Sequence, residues 1–448
     1  MNEKRSTDNI LAQNFNTFSL LKFAFPTIAM MIFMGVYTIV DTIFVARFVN
    51  EYAISAINIV CPVINFTVGI GTMLATGGNA IISRKIGSND IQEAKENFTL
   101  LIIAGTAIGA LITLISICCL ESLIYKLGAS KLLYNYCHDY LLIILFLIPA
   151  NILQTIFQNL FVTAGKPGIG FIVSIIAGIS NIIFDYIFIV LMDMGIAGAA
   201  LGTDIGYLLP SIVGILYFSK STGTLSFCKP KFDVKVLYEI CFNGSSEMIS
   251  QLATAITTLL FNKIIMSIVG ENGVAAITII IYSQFLLSTL YIGYSIGVAP
   301  VIGYNYGSNN TQRQKNIFRI CISFILTISI VVFLLCIFGS KFIVKFFVPP
   351  NSDVYQLSLS GFSIFAYSFL FCGLNIFTSA MFTALSNGKI SAIISLLRTF
   401  GFVAISLLVL PKIWGISGVW LAVPISEGIV FFISIMCLIH YRKQYGYI

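Results

Sequence analysis

The sequence predicts an all-α polytopic membrane protein, with twelve transmembrane helices in two parallel six-helix repeats around a central cavity. Three observations carry the prediction. The chain of 448 residues is 58% hydrophobic and only 10% charged, with a mean hydropathy of +0.97. Apolar runs long enough to cross a bilayer recur along its whole length. The stretch "IGSNDIQEAKENF" at 86 to 98 returns as "YGSNNTQRQKNIF" at 306 to 318, a shift of 220 residues that keeps Gly, Ser, Asn, Gln, Lys and Phe in register.

The first span, 20 to 46, follows a polar stretch holding Glu3, Lys4, Arg5 and Asp8 with no short apolar core or small-residue cleavage site, so it reads as a retained span and not a removable signal. Further spans fall at 53 to 82, 98 to 120, 139 to 162, 169 to 191 and 196 to 218. The polar linker "SKSTGTLSFCKPKFD" at 219 to 233 separates these from a second set at 236 to 268, 273 to 302, 317 to 338, 358 to 384, 390 to 410 and 416 to 440. The chain therefore divides into an N-terminal six-helix lobe (1–218), a cytoplasmic linker (219–235) and a C-terminal six-helix lobe (236–448). The same shift carries Ala56-Ile57 to Ala276-Ile277, Gly77 to Gly297, Thr163-Ala164 to Thr383-Ala384, and "GIAG" at 195 to "GISG" at 415. Six is even, so both repeats point the same way and their symmetry axis runs along the membrane normal.

Charge sets the orientation. The side holding both termini carries most of the Lys and Arg, among them Lys4, Arg5, Arg84, Lys85, Lys229, Lys231, Arg313, Lys315, Arg319 and Arg442. The opposite side has only Arg47, Lys126, Lys131, Lys341, Lys345 and Lys412. By the positive-inside rule the termini are cytoplasmic, in a multi-pass protein of the plasma (inner) membrane. The net charge of +7 thus serves topology, and no basic, aromatic-rich face is left for nucleic acid. Ten Cys lie scattered without C-x-x-C spacing and read as small buried hydrophobes. His138 and His440 stand apart from any metal or nucleophile motif, so no enzyme is expected.

Acids inside apolar spans are expensive, at about 2.5 to 3.5 kcal/mol each on insertion scales, and mark ion or substrate pathways. Asp41 lies in span 1, Asn181 and Asp185 stand four apart on one face of span 5, and span 6 adds Thr203 and Asp204. Counting helical rise from the outer ends places Asp41, Asp185 and Thr203 about 9 to 15 Å below the outer boundary, so side chains from three spans meet at one level. Two carboxylates with an amide and a hydroxyl form a hard-oxygen set for a small cation, and neighbouring carboxyl groups also permit proton exchange. Interhelical hydrogen bonding alone is the competing reading. At the shift of 220 the counterparts of Asp41, Asn181, Asp185 and Thr203 are Phe261, Gly401, Ile405 and Val423, so the second repeat packs without the set.

With these residues the chain resembles the multidrug and toxic compound extrusion (MATE) transporters over essentially its whole length. The resemblance rests on Asp41, the Asn181-x-x-x-Asp185 pair, Thr203, the repeated G-S-N loops and the two six-helix halves. It implies an antiporter that expels cationic or amphiphilic organic compounds in exchange for Na⁺ or H⁺, with Asp41, Asn181, Asp185 and Thr203 as the coupling-cation site and no other cofactor. It also implies that Pro26 bends span 1 in response to ion binding, where a static kink or a place in the first helical turn is the plainer reading. Some branches of the family carry a functional Glu two turns into span 7; here that position is Gln251, and the nearest acid is Glu247, one turn earlier. Glu247 and Arg398 are expected to pair in the cytoplasmic half of the C-lobe, in either a structural or a functional role. Met34, Tyr37, Gln154, Gln158, Gln284 and Tyr291 are the candidates for lining a polyspecific cavity, against the plain alternative of packing. The alternative function is a flippase for lipid-linked oligosaccharides, for whose diphosphate Arg398 and Lys263 are thin provision. Partners are small organic substrates and membrane lipid, and a monomer suffices because one chain holds both halves.

Overall fold

The computed structural model describes residues 10–448; Lys4, Arg5 and the other N-terminal charges lie outside the described residues. A turn of 3₁₀ helix, Ile10–Ala12, leads into α1 (Thr17–Phe48), started by a capping box in which the side chains of Asn16 and Ser19 each accept the other's backbone N–H at 2.8 Å. Then come α2 (Glu51–Gly87), α3 (Ile91–Cys118), the short α4 (Leu120–Lys126), α5 (Tyr134–Phe146), α6 (Ile148–Thr163), α7 (Pro167–Asp185) and α8 (Gly195–Lys220). After the linker, α9 (Val234–Ile268), α10 (Glu271–Gly307), α11 (Thr311–Phe347), α12 (Asp353–Phe365), α13 (Phe369–Ala384), α14 (Gly388–Leu396), α15 (Phe402–Trp414) and α16 (Ile416–Tyr445) complete the chain. With α12 and α13 taken as one segment and α14 and α15 as another, eleven segments are long and apolar enough to cross a membrane, and twelve when α5 and α6 count as one span bent by 54°. That bend is absent from the uninterrupted run read at 139 to 162. Pro149, at the start of α6, supplies no backbone N–H, and the helix restarts around it.

The repeated loops survive the duplication for a conformational reason. Asn89 and Asn309 take φ of 67° and 54°, and Gly195 and Gly415 both take 56°. Few residues other than Gly and Asn reach this region at low cost, so each corner keeps them.

The halves join along four helices: α1 packs along α10, and α2 along α9 and α10. Glycines set the approach. A Cβ on Gly87 would strike the carbonyl of Tyr304, and one on Gly307 the carbonyl of Arg84, a reciprocal contact between positions related by the 220-residue shift. The two cores do not follow the lobe boundary read from sequence. Leu11, Phe15, Leu20, Phe23 and Ala24 belong to the second half's core, because α1 crosses over to lie on α10. The first half's core runs from Val45 to Ile240.

Candidate functional site

Three glycines at helical spacing build the site's frame. Gly198, Gly202 and Gly206 form one stripe on α8, and a Cβ on each would meet Phe188, Asp185 and Asn181 in turn. The stripe lets α7 settle onto α8 with Asn181 and Asp185 turned inward, both 1% exposed. At Asp185 the α-helix passes into a π-helical segment, Tyr186–Leu191, a local widening often found where side chains are aimed at a site.

Across α7 stands α1, packed against it and carrying Asp41. The carboxyl groups of Asp41 and Asp185 adjoin within side-chain hydrogen-bonding range. As carboxylates both only accept, so neither satisfies the other. Both oxygens of Asp185, Oδ1 of Asp41, Oδ1 of Asp204, and both Oδ1 and Nδ2 of Asn181 are buried without a hydrogen-bond partner. Unpaired polar atoms cost about 1 to 3 kcal/mol each when buried, and such a group in a folded protein calls for an explanation. Acceptors converging from α1, α7 and α8 are what a shared proton or a small hard cation would satisfy.

The sequence reading named Asp204 without giving it a role, and left out two phenols. Asp204, 2% exposed, faces the interior from α8, and the phenols of Tyr140 and Tyr207 lie within electrostatic reach of the acids. Tyr207 carried a signal, since it follows Asp204 by three residues on one helical face. Tyr140 carried none, because nothing in the pattern says that α5 faces α8. Thr203 follows Gly202, is half-buried, and makes no hydrogen bond to any of the acids. Tyr37 does reach the set: its phenol lies within electrostatic range of Asp41 and Asp185.

Pro26 is the tenth residue of α1, inside the helix, which removes the first-turn reading. Of the remaining cavity candidates, Met34 and Gln284 are half-buried, while Gln154, Gln158 and Tyr291 are buried. Gln158 donates to Ser174 Oγ at 3.0 Å and to Met34 Sδ at 3.7 Å, and Gln154 is 6% exposed. Tyr291 is fully buried against Gly373, its hydroxyl donating to the Phe369 carbonyl at 3.4 Å. Helical periodicity gives a face, and only packing says which neighbour that face meets.

The C-half pair also differs from expectation. Arg398 lies in a π-helical segment, Leu397–Gly401, and its ion-pair partner is Glu427 of α16 at 3.4 Å. Glu427 also accepts from Asn375 Nδ2 at 2.7 Å, and Ser434 donates to Asn375 Oδ1 at 2.9 Å. Glu247 stands in the electrostatic range of Arg398 without forming an ion pair with it.

Comparison with known proteins agrees with this architecture. A family model described as MatE matches residues 26–187 and again 248–409. The multidrug export protein MepA of Staphylococcus haemolyticus is 25% identical over 429 residues, covering 95% of this chain and 94% of its own. MepA of Staphylococcus saprophyticus is 26% identical over 92% of this chain and 90% of its own. Among solved structures, the outward-facing conformation of a multidrug resistance MATE family transporter superposes with a TM-score of 0.88 at 20% identity, over 96% of this chain and 98% of that one. A Vibrio cholerae MATE transporter gives a TM-score of 0.89 at 21% identity over the same shares.

Proposed function

The chain belongs to the MatE family, and on that premise we propose that it is an antiporter that exports cationic or amphiphilic organic compounds in exchange for Na⁺ or H⁺ by alternating access. The relatives' name, multidrug export protein, supports the substrate class. The observation that carries the coupling is the meeting of Asp41 and Asp185, two buried acceptors with no donor between them.

In this reading Asp41, Asn181 and Asp185 hold the coupling cation, with Thr203 beside them on α8. Cation binding pulls α1 toward α7, and loss of the cation leaves like charges facing each other and pushes α1 away. Because α1 lies on α10 with its other side, the displacement reaches the second half. Pro26 gives α1 a weak point at which to bend. Coupling then follows from different cation affinities in the two states.

The excess of Lys and Arg on the terminus side supports cytoplasmic termini in the plasma membrane, with the two lobes joined by a cytoplasmic linker. Both halves in one chain support a working monomer. The flippase reading has less support, since Arg398 is already engaged by Glu427.

The test is ethidium efflux from proteoliposomes, wild type beside Asp41→Asn, under an imposed Na⁺ gradient and then an imposed H⁺ gradient. Efflux driven by one gradient and lost in the variant is the expected result and names the ion; efflux that survives the substitution rejects the coupling site.

A further inference from the structure

On the face that carries both termini, the duplicated corner between loop and helix encloses a small cavity in each half. In the first half it measures about 320 Å³, with Asp90, Gln92, Glu93 and Glu96 from the start of α3 facing Lys231 and Asp233 of the linker. In the second half it measures about 390 Å³, with Gln312, Arg313, Lys315 and Arg319 from the start of α11 facing Gln13 and Asn14 of the N-terminal segment. The 220-residue shift relates the two wall by wall: Gln92 to Gln312, Glu93 to Arg313, and Gln13 to Asp233.

Their charges are opposite. The first cavity has four carboxylates against one lysine, while the second has three cations and no carboxylate. The positive-inside rule does not account for this, because both corners lie on one face and the rule would make both basic. By that rule the acidic first cavity is the departure; the second keeps the expected basic charge, gathered as three cations with no carboxylate around one cavity, and so favours an anion.

That cavity is also built. Arg313 Nη1 donates to the Ala12 carbonyl at 2.7 Å and Asn316 Nδ2 to the Phe15 carbonyl at 2.8 Å, fixing the N-terminal segment as one wall. Leu11 and Phe15, 0% and 3% exposed, anchor the same segment in the second half's core. Lys315 and Arg319 are left with no ion pair among the described residues. The apolar stretch of α11 continues directly from Arg319 with Ile320, so the cations stand at the level where lipid phosphates lie.

We propose that this corner binds the phosphate of an anionic phospholipid headgroup from the leaflet on the terminus side. Lys315 and Arg319 neutralise the phosphate, Arg313 adds a third charge, and the amides of Gln13, Asn14 and Gln312 offer donors. A bound headgroup joins the segment that leads into α1 to the start of α11, tying the two halves together at this face.

The test is native mass spectrometry of the full chain purified in detergent, titrated with phosphatidylglycerol or phosphatidylcholine; it needs no transport. Wild type retains phosphatidylglycerol several-fold over phosphatidylcholine. The Lys315→Gln, Arg319→Gln double variant loses that preference by about ten-fold. Gln312→Glu, which places an acid at the wall as in the first cavity, weakens it too. Lys389→Gln, a cation on the same face outside the cavity, leaves it intact. Retention unchanged in the double variant, or an equal loss in Lys389→Gln, overturns the site. Displacement of the lipid by millimolar inorganic phosphate, with no preference between the two lipids, overturns the lipid as the source of the phosphate.

Discussion

Gly202 of α8 and Asp185 of α7 compete for one volume: a Cβ on Gly202 would fall on Oδ1 of Asp185. Gly202→Ala is therefore expected to displace the carboxyl group from Asp41 or to part α7 from α8, at about 1 to 3 kcal/mol of overpacking. Ethidium efflux should fall and the thermal unfolding temperature should drop. Gly206→Ala makes the comparison, since its nearest neighbour is Asn181 Cβ at an ordinary 3.5 Å, and it should be tolerated. Equal behaviour of the two variants would show that this glycine does not position the acid.

Asp41→Asn should stabilise the protein while abolishing ion-coupled efflux. The amide gives Asp185 the donor it lacks, and a hydrogen bond to a charged group is worth about 1.5 to 3 kcal/mol. Thermal unfolding in buffer at very low Na⁺ should rise above wild type, and any stabilisation by added cation should vanish. A variant less stable than wild type, or still stabilised by the cation, argues against two unsatisfied acceptors at this point.

Arg398→Met leaves Glu427 without its counter-charge at a position 3% exposed, and breaking such a pair costs about 3 to 5 kcal/mol. Adding Glu427→Gln, which keeps an oxygen for Asn375, should restore most of the loss. The cycle is read by thermal unfolding of the two single variants and the double. Additive losses would mean that the pair is not coupled.

Pro26→Ala returns a backbone N–H to the Lys22 carbonyl and straightens the local ladder. Unfolding temperature should hold or rise while the efflux rate falls several-fold. Unchanged efflux would make Pro26 a passive feature of α1.

The sequence made the spans and their duplication readable, because each depends on composition or on turn residues. Asn181 and Asp185 could be placed together since four residues make one helical turn, and Gly198, Gly202 and Gly206 show in hindsight why α8 comes near them. What depends on the rotation of one helix against another was not readable. Tyr291 has the composition of a cavity residue, yet it fills the space above Gly373, and Arg398 pairs with Glu427 on α16 although Glu247 is also within its electrostatic range. The bend at Pro149 was open to prediction from the residue alone, but a long apolar run on both sides hid it.

The reciprocal meeting of Gly87 with Tyr304 and of Gly307 with Arg84 lies at the C-terminal ends of α2 and α10, not at their middles. In the proposed alternating-access cycle this contact serves as a fulcrum. With a bilayer core of about 30 Å above it, each degree of rotation about that point swings the far ends of the helices by about 0.5 Å. A single methyl group wedged at this contact is thus expected to be magnified into a change in the gape of the opposite face.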